Sequence, residues 1–167
     1  MNWTKLSIAT TLAAVLIGSP ATAYADCGDP GQEPCTGPVP TVDDVDAVMT
    51  KLFDPARPAT GKTDVVTPGF SPEEAGTIND HLNRMNTAGL LPFNFDVTDI
   101  QPAPNNVAGA TVATRGSHYK YNPPGPIVLV EQAGKWLITR ETAMTALDNF
   151  WYNAYNRHFV GVPFAIP

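Results

Sequence analysis

The chain has 167 residues, of which 43% are hydrophobic and 16% are charged, and its formal net charge at pH 7 is −6. This length fits one globular domain. An acidic chain repels polyanions, so the composition argues against DNA, RNA and anionic lipid surfaces as main partners.

Residues 1–25 have the pattern of a secretory signal peptide. Lys5 supplies a positive charge, residues 6–17 form a short apolar stretch, and Ala-Tyr-Ala at residues 23–25 matches a small-residue cleavage site. The apolar stretch is too short to anchor the protein stably in a bilayer. We therefore predict a secreted, extracellular protein that is cleaved near Ala25 and has no stable membrane insertion.

Residues 26–40 are rich in proline, glycine and acidic residues and have few apolar side chains. Such a segment buries too little surface to offset its ordering entropy, so we predict a linker. Cys27 and Cys35 are the only two cysteines, and an exported chain favours a disulfide between them. Lipidation would need an aliphatic residue and a small residue at the positions of Tyr24 and Asp26, so the sequence argues against it.

Residues 41–167 are expected to form a single domain that begins with two helices. Thr41 is a candidate cap for a first helix, whose apolar residues recur at helical spacing through Leu52. Ser71-Pro72-Glu73-Glu74 is a capping box with proline at the first helical position, and Gly89 is suited to end this second helix.

The pattern then changes from helix to strand. Phe93, Phe95 and Val97 alternate with polar residues, a second strand is predicted over 110–115, and a third over 127–130. Gly134 indicates a hairpin into residues 136–138, and a final helix is expected to start near Glu141. Because helices and strands do not alternate, we predict an α+β fold with the helices on one face of an antiparallel sheet.

One segment, residues 56–63, fits a relaxed phosphate-binding loop that ends in Lys62 and Thr63. A working loop of this kind follows a buried strand and opens a helix. No apolar strand precedes Ala56, Pro58 lacks an N–H group, and Pro68 blocks a helix directly after the segment. We therefore interpret it as an ordinary loop.

Other signals of catalysis or metal binding are weak. His81, His118 and His158 lie on different predicted elements without ligand-like spacing, and no nucleophile motif is present. We therefore predict no metal site, no cofactor and no catalytic residue.

Aromatic residues are concentrated near the carboxyl terminus, between Phe150 and Phe164. They could close the open side of the sheet as core, or they could form a surface for an apolar ligand or a partner. The candidate ligand-binding residues are Trp151 and Tyr155 from this region, with Phe95 and Trp136 from the strands.

The strand at residues 93–102 and the segment Gly134-Lys135-Trp136-Leu137-Ile138-Thr139-Arg140, followed by Ala143-Met144, resemble the mycobacterial low-molecular-weight secreted antigen family. The resemblance extends roughly from residue 42 to residue 147. It implies an exported actinobacterial protein without an assigned enzymatic activity. It also implies helices packed on a curved sheet, similar to the nuclear-transport-factor-2-like or cystatin-like cone. The cysteine pair and the aromatic extension depart from the family pattern.

The leading functional hypothesis is a secreted, non-enzymatic protein that binds an apolar small molecule or a cell-envelope component in the concavity of its sheet. The alternative is a cone-fold enzyme that uses a buried aspartate and a tyrosine as acid–base groups. Its candidates are Asp96 and Asp99 with Tyr119 and Tyr121. A deep pocket that holds an aspartate beside a tyrosine would favour the enzyme.

Overall fold

The computed structural model describes Cys27, residues 31–115 and residues 123–156. Helix α1 is followed by a short 3₁₀ turn, strand β1, helix α2, strands β2 to β5 and helix α3, which continues as a π-helical turn. The bounds are α1 Val42–Leu52, the 3₁₀ turn Ala59–Gly61, β1 Val66–Thr67, α2 Pro72–Thr87, β2 Asn94–Ala103, β3 Val107–Arg115, β4 Gly125–Gln132, β5 Lys135–Thr139, α3 Arg140–Phe150 and the π-turn Trp151–Asn156.

The first two helices begin at the residues that the sequence indicates. The Thr41 hydroxyl accepts a hydrogen bond from the backbone N–H of Asp44, and the Ser71 hydroxyl accepts one from that of Glu74. The carboxylate of each acid accepts a hydrogen bond from the backbone N–H of its cap residue, which completes a capping box at both helices. Gly89 has φ +70°, so it ends α2 in the left-handed conformation that glycine adopts without strain.

The five strands form one curved sheet in the order β1-β5-β4-β3-β2. Strands β2 to β5 are joined in antiparallel pairs, as predicted, whereas β1 runs parallel to β5. The α+β class is confirmed, and the sheet is mixed rather than wholly antiparallel. Strand β1 has only two residues, which are too few to show the alternation that identifies a strand in a sequence.

The helices cover one face of this sheet and bury a single core against it. Inward-facing residues of β2 to β5 meet apolar stripes of all three helices. The most central side chains are those of Met49, Leu52, Leu82, Met85, Leu129 and Ile138.

Four phenylalanines fill part of the space between the helices and the sheet. This Phe cluster consists of Phe53, Phe93, Phe95 and Phe150, all of which are buried. The rings of Phe53 and Phe150 have centroids 4.9 Å apart, and those of Phe93 and Phe150 are 5.3 Å apart. Phe150 is therefore core, whereas Phe159 and Phe164 of the same aromatic region lie outside the described residues.

The lysine of the loop that resembles a phosphate-binding motif is a structural residue. Lys62 is completely buried, and its Nζ atom donates to the carbonyl oxygens of Lys51 and Asp54, at 2.9 and 2.8 Å. Burial lowers the pKa of its ammonium group to about 8. Because both bonds satisfy carbonyls at the end of α1, Lys62 caps that helix and is not directed toward a ligand.

The region before α1 contains the predicted disulfide between Cys27 and Cys35. Of residues 31–39, only Cys35 is half-buried, and the remainder are exposed. Among the described residues, Pro40 is the first that is buried. The interpretation of residues 26–40 as a linker and of residues 41–167 as the domain stays a prediction.

Candidate ligand-binding cleft

The four residues proposed from the sequence as ligand contacts lie in three separate places. Phe95 belongs to the Phe cluster, and it also lines an apolar cleft of about 320 Å³ beside the end of α1. Trp136 is half-buried and lines a groove of about 400 Å³ between α1 and β5. Trp151 and Tyr155 lie together on the π-turn at the end of α3. The structure thus brings only this last pair together.

Trp151 is sandwiched between two other rings, in what we call the indole stack of His81, Trp151 and Tyr155. Its ring centroid lies 4.1 Å from that of His81 and 4.3 Å from that of Tyr155. Burial lowers the pKa of the His81 imidazole, while Asp148 and Asp80 act in the opposite direction. Because its ring faces are occupied, Trp151 is placed to fix the end of α3 onto α2.

The residues of the enzyme hypothesis are not arranged as a buried acid–base pair. Asp96 and Asp99 are both exposed, and Asp96 forms an ion pair with Arg115 on the neighbouring strand. The expectation of a buried aspartate at either position is therefore wrong, because the alternation of β2 points Asp96 away from the helices. Tyr119 and Tyr121 lie outside the described residues.

A different cleft opens between α3 and the sheet, and we call it the α3 cleft. It has a volume of about 290 Å³, and its inner wall is formed by side chains from α1, β3, β4 and α3. These are Met49, Val112, Ile127, Ala146 and Phe150, all of them buried. Apolar walls of this kind favour contact with apolar ligand groups over contact with water.

The described residues at the rim of the α3 cleft are polar or apolar, and none of them is charged. Thr145, Asn149 and Asn153 follow one another about one helical turn apart along one side, and a proline-rich segment at the start of β4 forms the other. The Thr145 hydroxyl donates to the carbonyl oxygen of Glu141. Among the described residues, none forms a hydrogen bond with the side-chain carboxamide of Asn149 or of Asn153.

The α3 cleft differs in charge from three other clefts, which lie at Trp136, at Phe95 and beside Tyr155. The groove at Trp136 is lined by Asp44, Lys51, Asp64 and Lys135, and the cleft at Phe95 by Lys51 and Asp54. A shallow site beside Tyr155 includes Arg84. In contrast, no described residue that lines the α3 cleft carries a charge.

The described residues contain neither a metal-binding cluster nor a membrane-spanning helix. No group of three or more histidine, cysteine or acidic side chains in that part of the chain could hold a metal ion. No helix there is long and apolar enough to cross a membrane. His118 and His158 lie outside the described residues.

The α3 cleft was not predicted from the sequence. Thr145 and Asn149 are four residues apart, so they lie on one side of α3, which carries Leu147 and Phe150 toward the core, and Asn153 follows on the π-turn. Such a polar row beside a buried stripe is the ordinary pattern of an amphipathic surface helix, so it does not by itself indicate a cleft. The opposing wall of the cleft is formed by β3 and β4. Its position depends on how these strands pair, which local sequence patterns do not show.

The fold and the cleft define a small α+β protein in which the described residues between α3 and the sheet line a largely apolar cleft and carry no charge. A family model described as the C-terminal domain of low molecular weight antigen MTB12 matches residues 38–153. The chain therefore belongs to the MTB12 low molecular weight antigen family, as the strand and hairpin motifs indicate.

Several mycobacterial proteins are similar to this chain. MTB12 of Mycobacterium tuberculosis is 31% identical over 117 residues, which cover 70% of this chain and 69% of the relative. The MTB12 homologue of Mycobacterium leprae is 31% identical over 112 residues, or 66% of this chain and 65% of the relative. A candidate lipoprotein of Mycobacterium tuberculosis, LppK, is 28% identical over 109 residues, or 64% of this chain and 57% of the relative.

Proposed function

We propose that this protein is an exported, non-enzymatic protein that binds an apolar small molecule in the α3 cleft. The observation that carries the proposal is the combination of five buried apolar side chains at its inner wall with a rim whose described residues are uncharged. Ligand pockets in proteins are typically of this kind, with apolar walls and a few polar groups that orient the ligand.

The volume of the cleft limits the size of the ligand group that it can hold. A volume of about 290 Å³ holds roughly ten groups of the size of a water molecule or a methylene. An alkyl chain of roughly eight carbons is therefore a suitable probe, and its dissociation constant is expected to lie roughly between micromolar and millimolar values. A longer natural ligand would bind through one end only.

Calorimetric titration with octan-1-ol tests this proposal. Ala146→Phe adds a ring at the inner wall and is expected to abolish binding, because the ring takes the place of the ligand. Gly76→Phe is the matched control, since Gly76 is exposed on α2 and an added Cβ there meets nothing within 4 Å. We expect the control to bind octan-1-ol as the unmodified protein does.

Two results would contradict the proposal. One is octan-1-ol binding that Ala146→Phe leaves unchanged, which would place the ligand elsewhere. The other is binding that occurs only when residues 157–167 have been deleted, because the chain's own carboxyl terminus would then be the occupant of the cleft.

The exported state rests on residues 1–25, on the names of the antigen relatives and on LppK, which is described as a candidate lipoprotein. Amino-terminal sequencing of protein from the culture medium of a mycobacterial host is expected to begin at Asp26 or within a few residues of it. An intact Met1 on membrane-bound protein would contradict cleavage. A lipid-modified Cys27 would contradict the disulfide.

A further inference from the structure

We infer that the ligand of the α3 cleft is an uncharged amphiphile: an apolar chain with a neutral head group that both donates and accepts hydrogen bonds, such as an alcohol or an amide. This inference rests on the proposed function, because it concerns the same cleft. It adds the chemistry of the head group and assigns Asn149 and Asn153 as the residues that contact it.

The charge of the lining residues determines which head groups the cleft favours. An ionised carboxylate, phosphate or ammonium group is strongly hydrated, and moving it into a partly buried site without an opposite charge is unfavourable. None of the described residues that line the cleft is acidic or basic. A charged head group would therefore lose hydration at the rim without gaining an ion pair from any of these residues.

The side chains of the rim include both hydrogen-bond donors and acceptors. A carboxamide carries an oxygen that accepts and an NH₂ group that donates, so Asn149 and Asn153 together offer both functions on one side of the cleft. A hydroxyl group also donates and accepts, which makes it complementary to such a pair. Thr145 already uses its hydroxyl proton within the helix and remains only an acceptor.

The polar and apolar residues of the cleft lie at different depths, which fixes the orientation of the ligand. The two asparagines lie at the rim, whereas Met49 and Phe150 lie at the inner wall. An amphiphile satisfies both surfaces only if its chain points inward and its head group stays beside α3. The arrangement thus selects one direction of entry.

Three probes with the same eight-carbon chain separate these head groups: octan-1-ol, octanoate and octylammonium, each titrated at pH 7.5 below its aggregation concentration. We expect octan-1-ol to bind at least about ten-fold more tightly than either ion. If octanoate or octylammonium bound as tightly as the alcohol or more tightly, the inference would be overturned while the proposed function stood. If none of the three bound, the proposed function itself would fail.

A charge introduced at the rim tests the position of the head group. Asn153→Lys is expected to raise the affinity for octanoate at least about ten-fold and to lower that for octylammonium, because the lysine supplies a counter-charge. Gly76→Lys places the same charge on the exposed side of α2 and is expected to change neither affinity. Equal octanoate affinities in the two variants would contradict the assignment of the head group to Asn149 and Asn153. The comparison of the three probes uses the unmodified protein, so it does not depend on either variant.

Discussion

The indole of Trp151 lies parallel to the imidazole of His81, with ring centroids 4.1 Å apart and an interplanar angle of 2°. This stack joins the end of α3 to the middle of α2, two helices that are far apart in the sequence. Tyr155 covers the other face of the indole. The contact therefore holds in place the helix whose preceding turns form the rim of the α3 cleft.

Replacement of Trp151 by alanine is expected to lower the free energy of unfolding by about 2–3 kcal/mol, because a half-buried ring and two stacking contacts are lost. Urea denaturation followed by circular dichroism measures this effect. In a double-mutant cycle with His81→Ala, we expect a coupling energy of about 0.5–1.5 kcal/mol. Additive effects of the two substitutions would show that the stacked rings do not stabilise each other.

The same stack predicts a pH dependence. Burial lowers the pKa of His81 in the folded protein, so just below pH 6.5 the unfolded chain binds more protons than the folded one. The contribution of His81 to stability is therefore complete above pH 6.5 and decreases as the pH falls toward the lowered folded pKa. Asp80 and Asp148 limit the shift, and Arg84 adds to it.

His81→Phe isolates this contribution, because phenylalanine keeps an aromatic ring against Trp151 but does not titrate. The difference in unfolding free energy between the variant and the unmodified protein should change between pH 7 and pH 5.5, in favour of the variant at the lower pH. If the difference in unfolding free energy stayed constant from pH 7 to pH 5.5, the His81 imidazole would have the same pKa in the folded and unfolded protein.

The buried Lys62 predicts a second pH effect with its own range. Its pKa is about 8 in the folded protein, below its ordinary value of 10.5. Between these values the unfolded chain binds more protons, so the free energy of unfolding should rise as the pH increases from about 8 to 10.5. In Lys62→Met this rise should be absent, as denaturation at pH 7.5, 8.5 and 9.5 would reveal.

The same variant tests the capping role of Lys62 at neutral pH. Methionine preserves most of the side-chain volume but leaves the carbonyl oxygens of Lys51 and Asp54 without their donor. We expect a loss of about 2–4 kcal/mol. Lys135→Met, at an exposed lysine, serves as the control and should change stability by less than about 0.5 kcal/mol. Equal effects at the two lysines would refute the role of Lys62.

Removal of the disulfide by Cys27→Ser with Cys35→Ser is expected to lower stability by less than about 1 kcal/mol. The bridge closes a loop whose described residues are mostly exposed, so the constraint acts mainly on a segment outside the core. Thermal unfolding with and without reductant measures the effect. A loss of several kcal/mol would show that residues 26–40 are docked on the domain.

Local signals in the sequence were sufficient for most of the fold. The Ser71 capping box, Gly89 and the Gly134 hairpin each depend on neighbouring residues, and each was found where predicted. Strand β1 and the burial of Lys62 were not predicted, because both depend on contacts between segments distant in the chain. Short-range patterns do not contain this information.

The ligand-binding site is harder to predict from the sequence than the fold is. Aromatic content indicated Phe95, Trp136, Trp151 and Tyr155 as ligand contacts, and that assignment stays a prediction. Phe95 is buried in the Phe cluster, and Trp151 is stacked on His81. Composition alone cannot distinguish an aromatic residue that fills the core from one that faces a ligand.

Amide chemical-shift mapping by nuclear magnetic resonance, during titration of the unmodified protein with octan-1-ol, tests the central claim most directly. Binding in the α3 cleft predicts saturable shifts concentrated at Ala146, Asn149, Phe150 and Ile127, with small changes at Phe95 and Trp136. Saturable shifts at Phe95 or Trp136 without shifts along α3 would contradict the claim, as would the absence of any saturable shift up to the solubility limit of the alcohol.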